Sequence, residues 1–301
     1  MPIAVLVLAA GQGTRMNSDL PKVLHPLAGF PLLAHALRTA RGLAPERLVV
    51  VTGHGAEEVA AAAREIDEEA RIAHQAEQRG TGHAVLAARE ALAGFAGDLV
   101  VLYGDTPFVQ VETIDRMRLA REEGADVVVL GFETEAPGGY GRLIRDADGG
   151  LAAIVEASDA GPPAPGPVLC NSGVMLADAA ALIELLEAVE PRNAQGEYYL
   201  TDVVALARGR GLSAAVVTCP EAETLGINSR ADLAAAEAIF QATARAEAMA
   251  NGATLSDPAT VWFALDTAVG RDVVIGPNVV FGPGVTVESG AVIQAFCHLE
   301  G

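Results

Sequence analysis

Positive charge is what this sequence lacks most. Its 20 Lys and Arg face 39 Asp and Glu, a formal net charge of −19. A field of that sign argues against a nucleic-acid-binding surface, which needs a basic patch or stripe. Any cationic residue that serves an anionic ligand must therefore act locally. Cysteine is scarce too: Cys170, Cys219 and Cys297 are scattered and odd in number. No metal-ligand spacing links them, which points to a reduced, cytoplasmic protein with buried thiols. No apolar stretch approaches the roughly 20 residues that cross a bilayer, so no membrane partner is expected. The apolar start has no basic leader and no cleavage site, and it reads as a strand and not a signal peptide. Aromatics make up only 4 %, yet 51 % of residues are hydrophobic. The apolar mass is Ala, Val and Leu, enough for a large core of α/β character. A length of 301 residues favours two domains over one.

What is present is organised around one stretch. Ile3 to Leu8 is apolar and rich in β-branched residues, as a buried parallel strand would be. It runs directly into Leu8-Ala9-Ala10-Gly11-Gln12-Gly13-Thr14-Arg15-Met16, followed by Pro21-Lys22. Gly11 and Gly13 open backbone conformations closed to other residues and let a ligand approach the main chain. Unpaired N–H groups in such a loop form an anion-binding concavity, and Arg15 and Lys22 add two cations beside it. The loop is neither G-x-G-x-x-G, since position 16 is Met, nor a Walker A sequence. Taken bare it is equally a simple strand-to-helix turn.

Downstream, strand-like runs (Arg47 to Thr52, Ile72 to Gln75, Leu99 to Tyr103, Asp126 to Phe132) alternate with helical ones. The helices fall at Pro31 to Arg41, Gly55 to Asp67, Thr81 to Leu92 and Val111 to Glu123. This alternation implies a mostly parallel, doubly wound sheet. Ligands bind such sheets beyond the carboxyl ends of the strands, where both Gly11 and Asp105 fall. From Gly138 to Val174 short β-like pieces (Arg142 to Arg145, Leu151 to Val155, Val168 to Leu176) alternate with Gly and Pro clusters. They read as an antiparallel excursion forming one wall of a pocket, with Gly161 to Pro167 as an exposed loop. Helices follow at Ala179 to Val189 and Thr201 to Arg208, then the strand Ala214 to Thr218. A long helix, Arg230 to Ala250, suits a domain connector. Beyond it Phe263, Val269, Ile275, Phe281, Val287, Ile293 and Leu299 recur every six residues, with Gly at 270, 276 and 282. A hexapeptide period marks a left-handed parallel β-helix, here of about two coils. The array stops at Glu300-Gly301 in mid-pattern, which implies a piece of a longer protein. The division expected is 1–228, 229–256 and 257–301.

Asp105 ends the strand LVVLY after Gly104, placed to hold Mg²⁺ opposite a phosphate loop; a helix-cap aspartate is the plainer alternative. Gln75, with backbone groups near Gly80 and Thr81, could pair with a uracil, although Thr81 also suits a helix cap and His83 a structural role. Gly141, Glu156, Asn171 and Asn228 sit at the edges of apolar strands. Each alone suits a turn or cap; together they could grip a sugar, and Asn228 could be a neutral metal ligand.

The order LAAGQGTRM, PKVLH, QAEQRGTGHA, LYGDTP, GGYGRLI, IVEASDA, NSGV, NAQGEYYLTD and GINSR resembles the bacterial bifunctional N-acetylglucosamine-1-phosphate uridyltransferase/glucosamine-1-phosphate acetyltransferases, the GlmU family. The resemblance covers nearly the whole chain. It implies a Rossmann-like nucleotidyltransferase domain followed by the first coils of a β-helix. It implies that UTP and N-acetylglucosamine 1-phosphate give UDP-N-acetylglucosamine, a cell-wall precursor, and pyrophosphate. Carried over, Leu8, Ala9, Ala10, Gly11, Gln75, Gly80 and Thr81 hold uridine and phosphates, with Arg15 and Lys22 on the phosphates. Tyr103, Gly104 and Asp105 contact the nucleotide, and Asp105 and Asn228 hold Mg²⁺. Gly141, Glu156 and Asn171 bind the N-acetylglucosamine moiety, with Glu197, Tyr198, Tyr199 and Thr201 close by. The family forms homotrimers through its β-helix, and its acetyl-CoA site lies in later coils, so acetyl transfer is expected to be absent here. One departure stands out: the family reads I-V-E-x-K-D-A, and Ser158 replaces the lysine. Arg142 or Arg145 could substitute. Two alternatives stay open: a related enzyme for another sugar 1-phosphate or thymidine triphosphate, and a non-catalytic sugar-nucleotide-binding protein.

Overall fold

The computed structural model describes residues 1–157, 159–161, 166–193 and 195–301. In chain order come β1 (Ile3–Ala9), the small hairpin β2 (Pro26–Leu27) and β3 (Phe30–Pro31), α1 (Leu32–Gly42), β4 (Arg47–Thr52), α2 (Ala56–Ile66) and β5 (Arg71–His74). Next are α3 (Thr81–Ala87), β6 (Asp98–Tyr103), α4 (Val111–Glu122) and β7 (Val127–Thr134). The excursion supplies β8 (Arg142–Arg145), β9 (Leu151–Val155) and β10 (Val168–Asp178), before α5 (Ala179–Glu187), α6 (Asp202–Gly209), β11 (Ala214–Thr218) and α7 (Arg230–Ala250).

The sheet runs β11-β7-β10-β6-β1-β4-β5, with β8 and β9 branching from β10. All neighbours along this path are parallel except β10, which lies antiparallel between β6 and β7. The mostly parallel sheet read from the sequence therefore carries one reversed strand, delivered by the antiparallel β8–β9–β10 excursion. Along β1 the side chains alternate between two cores, as strand geometry requires. Ala4, Leu6 and Leu8 pack with α3, α5 and α6; Ile3, Val5, Val7 and Ala9 pack with α1, α2 and α4. Both faces of β1 are sealed, so only its carboxyl end can meet a ligand. Truncating Leu6, fully buried, to Ala would cost roughly 2–5 kcal/mol.

The helix expected over Thr81 to Leu92 is shorter. It ends at Ala87, and residues 88–95 continue in tight turns to Gly94, whose φ is 74°. Those turns bury Ala88, Leu92 and Phe95 against the sheet, which a straight helix would carry away. Of the cysteines, Cys170 and Cys219 are buried, but Cys297 is only half-buried. No helix of the described residues is long and apolar enough to cross a membrane.

Helix α7 spans the residues the sequence marked, opened by a capping box between Ser229 and Asp232. Mid-helix, Gln241 is 2 % exposed. Its amide donates to the Phe263 carbonyl at 2.7 Å and accepts the Phe263 N–H at 2.8 Å. Glu237 accepts the Ala28 N–H at 2.8 Å. The helix is thereby tied to the β2–β3 hairpin on one side and to the hexapeptide region on the other. There, short strands pair in parallel with partners 18 residues on, Val261 with Val279, Ala268 with Thr286, Val274 with Val292 and Val280 with His298. Three hexapeptides per coil is the spacing of a β-helix, and Phe263 stacks on Phe281 inside it, ring centroids 5.2 Å apart. A side chain at Gly276 would strike the next coil's backbone at Ala295, 2.7 Å away.

Candidate active site

The glycine loop lies at the carboxyl end of β1. Gly13 is left-handed, φ 63°, and a Cβ there would stand 2.6 Å from that of Lys22. Glycine is thus needed so that the stem of Lys22 can fold back across the loop. The same reasoning fails for Gly11, which has no positive φ and open space around it; the conformational requirement sits on Gly13 alone. Leu8, Ala9 and Ala10 are buried, so only their backbone can face a ligand. Arg15 is exposed on a 3₁₀ turn, and its guanidinium has no partner among the described residues.

Lys22 is the centre of the constellation. Its ammonium bonds to Asp105 Oδ2 and, at 3.1 Å, to Asn228 Oδ1. Asp105 follows β6, which is locked to β1 through the Gly104 N–H on the Leu8 carbonyl at 2.9 Å. Asn228 is brought in by the neighbouring backbone: the Ile227 N–H bonds to the Asp105 carbonyl at 3.0 Å. The Asn228 amide then donates to the Gly226 carbonyl at 3.2 Å, leaving Oδ1 aimed at Lys22. Asp232, the capping residue of α7, accepts from the N–H groups of both Asn228 and Ser229. The helix cap and the site are one piece of structure.

Gln75 follows β5 and is 2 % exposed; its Nε2 lies 3.1 Å from the Gly80 carbonyl. Thr81 does not cap α3. Gly80 occupies the cap position, and the Thr81 hydroxyl instead accepts the Leu200 N–H at 3.1 Å. Residues 197–201 are thereby drawn to the turn that carries Gly80.

On the other side a cavity of about 400 Å³ is lined by Thr81, Tyr103, Gly141, Glu156 and Asn171, together with Glu197, Tyr199 and Thr201. Tyr198 is not on its wall; its ring turns toward Arg79 and His83. Glu156 accepts the Thr201 hydroxyl at 2.8 Å. Asn171 sits at a register shift of β10 between Asn171 and Met175, a bulge that re-aims the side chain. Burial pushes the Tyr103 hydroxyl well above its ordinary range, with the Asp105 and Glu156 carboxylates adding to it, so the phenol stays neutral. Asp202 beside the cavity is also raised, first by burial and then by Glu156.

Two expectations change here. Arg142 cannot substitute for a missing lysine. Its guanidinium is spent on the backbone carbonyls of Pro137, Gly138 and Tyr140 and on Cys170 Sγ. Arg145 is exposed at the far end of β8. Ser158 itself and part of the Pro-rich loop lie outside the described residues. A larger cleft of about 720 Å³ between α1, α7 and the first coil is lined by none of the candidate site residues.

A family model described as MobA-like NTP transferase domain matches residues 5–195, and one described as bacterial transferase hexapeptide (six repeats) matches residues 266–301. The bifunctional protein GlmU of Dinoroseobacter shibae is 63 % identical over 301 residues, all of this chain and 67 % of that protein. Those of Paracoccus denitrificans and of a Ruegeria species are 61 % and 62 % identical, covering all of this chain and 66 % and 67 % of their own length. The chain belongs to the GlmU family. It is a nucleotidyltransferase, and it spans about two thirds of the length of these relatives.

Within this GlmU-family chain, one contributor escaped the sequence reading. Arg230, in the motif GINSR, donates to the Met16 carbonyl at 3.2 Å and lies 3.2 Å from His25 Nδ1. It fastens the glycine loop to the start of α7, two residues from Asn228. An arginine in the first turn of a helix carries no pattern that signals this; only the tertiary contact does. The donor set also fits a hard divalent cation. A carboxylate oxygen and an amide oxygen converge on a single cationic atom, and such ions are commonly held by one or two protein oxygens with phosphate and water. Among the described residues no cluster of three or more His, Cys, Asp or Glu offers an alternative.

Proposed function

We propose that this chain transfers a uridylyl group from UTP to N-acetylglucosamine 1-phosphate, giving UDP-N-acetylglucosamine and pyrophosphate. The observation that carries the reading is the convergence of Lys22, Asp105 and Asn228, beside the cavity lined by Gly141, Glu156 and Asn171. A phosphate oxygen of the sugar phosphate attacks the α-phosphorus in line. The new P–O bond forms as the bond to the α–β bridging oxygen breaks, and pyrophosphate departs with that electron pair. The sugar phosphate is largely ionised at neutral pH, its second pKa being about 6, so no general base is required. The protein's work is positioning and charge neutralisation.

Lys22 and Arg15 serve the phosphates, and the backbone of Leu8 to Gly11 cradles them. Gln75, Gly80 and Thr81 take the uracil, with Tyr103 and Gly104 against the nucleotide. Asp105 and Asn228 would hold Mg²⁺, which when bound offsets phosphate charge. Gly141, Glu156 and Asn171 take the sugar. On this reading residues 1–228 carry the reaction, 229–256 connect and 257–301 begin the β-helix. The 301-residue chain alone is not expected to acetylate glucosamine 1-phosphate. A panel pairing UTP, TTP and CTP with several sugar 1-phosphates, scored by pyrophosphate release, tests the assignment. The pair UTP and N-acetylglucosamine 1-phosphate should lead; a lead by thymidine triphosphate or glucose 1-phosphate would replace it.

A further inference from the structure

We propose that His83 is a positioning residue for base choice. It fixes the Gln75 amide so that only the oxygen is offered to the base, which favours uracil over cytosine. The inference rests on the uridine reading above and adds the residue that enforces it. Gln75 Nε2 lies 3.1 Å from the Gly80 carbonyl and 3.1 Å from His83 Nδ1. A carbonyl only accepts, so the atom facing it must be the NH₂ group. The second amide hydrogen then points at His83 Nδ1, which must be the unprotonated acceptor, with the ring proton on Nε2. Both amide donors are thereby spent.

The remaining atom, Oε1, receives no hydrogen bond from the described residues, yet it is not sealed away. The one enclosed side-chain N or O atom without a partner among them is Nε2 of His25. Gln75 therefore presents an acceptor and nothing else. Uracil offers N3–H at the position where cytosine offers a lone pair, so an acceptor there attracts one base and repels the other. An amide free to rotate by half a turn would serve both, and the two anchors remove that freedom.

His83 is itself held. Its ring lies 6.3 Å from that of Tyr198. Tyr198 accepts from Arg79 through its hydroxyl at 3.2 Å and sits under the same guanidinium at 4.9 Å. Its backbone pairs with the Arg79 carbonyl and the Gly82 N–H, each at 2.8 Å. The segment that presents Tyr199 and Thr201 to the sugar cavity thus also braces the base side.

The test is kcat and KM for UTP and for CTP in the whole chain and in three variants, each checked by thermal melting. His83→Leu removes the acceptor. His83→Phe removes it while keeping a ring against Tyr198. His83→Asn returns an acceptor oxygen near the position of Nδ1. The Leu and Phe variants should lose about tenfold in the UTP-to-CTP ratio of kcat/KM, through KM, with kcat for UTP within about threefold of wild type. The Asn variant should retain the ratio. A wild-type ratio in either apolar variant that folds, or an Asn variant as unselective as they are, overturns the proposal. A wild-type chain that does not prefer UTP to CTP overturns the uridine reading as well, which separates the two failures.

Discussion

The two sides of the cleft are built to different degrees. On the proposed nucleotide side the polar groups are already bonded to one another across long stretches of chain, with Lys22 joined to Asp105 and Asn228 over separations of 83 and 206 residues. On the proposed sugar side the cavity is open, and on its wall Glu156 accepts the Thr201 hydroxyl at 2.8 Å. The difference fits the chemistry proposed for each side. Charge that develops at phosphorus is stabilised by groups fixed before the reaction, because reorganising them during it costs energy. Sugar hydroxyls bring their own donors and acceptors, and a wall of half-buried polar groups can exchange water for them.

This contrast predicts unequal damage. Asp105→Ala should break the nucleotide side most, lowering kcat by a factor on the order of 10³ while circular dichroism and melting show a folded protein. Activity near wild type would remove Asp105 from the metal role. Arg230→Met should come next, at about tenfold to a hundredfold in kcat, since loosening the loop misplaces the phosphates without removing a ligand. If only stability changed, the fastening would be structural. Glu156→Gln should act on the sugar side alone, raising KM for the sugar phosphate about tenfold with KM for UTP unchanged. An equal rise in both would erase the distinction between the sides.

The smallest effect concerns the support beneath both. His35 is buried, donates through Nε2 to the Leu27 carbonyl at 2.9 Å, and packs edge-on to Phe240 of α7. Burial lowers its pKa below the usual 6.5. The unfolded chain then binds the proton more readily, so this contribution to stability is full above about pH 6.5 and falls as pH drops below it. Denaturation at pH 7.5 and 5.5 should show the slope, and His35→Gln should flatten it.

Much of this was legible beforehand. The β-α alternation, α7 and the hexapeptide coils follow from apolar periodicity, because burial imposes period directly on sequence. The motifs singled out Lys22, Asp105, Asn228, Glu156 and Asn171, and the fold gathers the first three at one point and the last two on one cavity. What was not legible was who holds whom. Arg142 looked like a spare cation and is committed to a loop; Thr81 looked like a cap and instead binds the 197–201 segment; Arg230 looked like an ordinary helix residue. Hydrogen bonds between segments distant in sequence leave no period to read. The antiparallel excursion was legible from its Gly and Pro clusters, but the insertion of its last strand, β10, between β6 and β7 was not, since a strand's neighbours leave no period in the sequence.

On the proposed function, the two sides serve one reaction at one metal-assisted centre. The most direct measurement follows products chromatographically after mixing the 301-residue chain with UTP, N-acetylglucosamine 1-phosphate and Mg²⁺, and then omits each in turn. UDP-N-acetylglucosamine and pyrophosphate should form in equal amounts, and neither when any component is left out. Pyrophosphate without sugar nucleotide, or full product formation in the presence of a chelator, would contradict it.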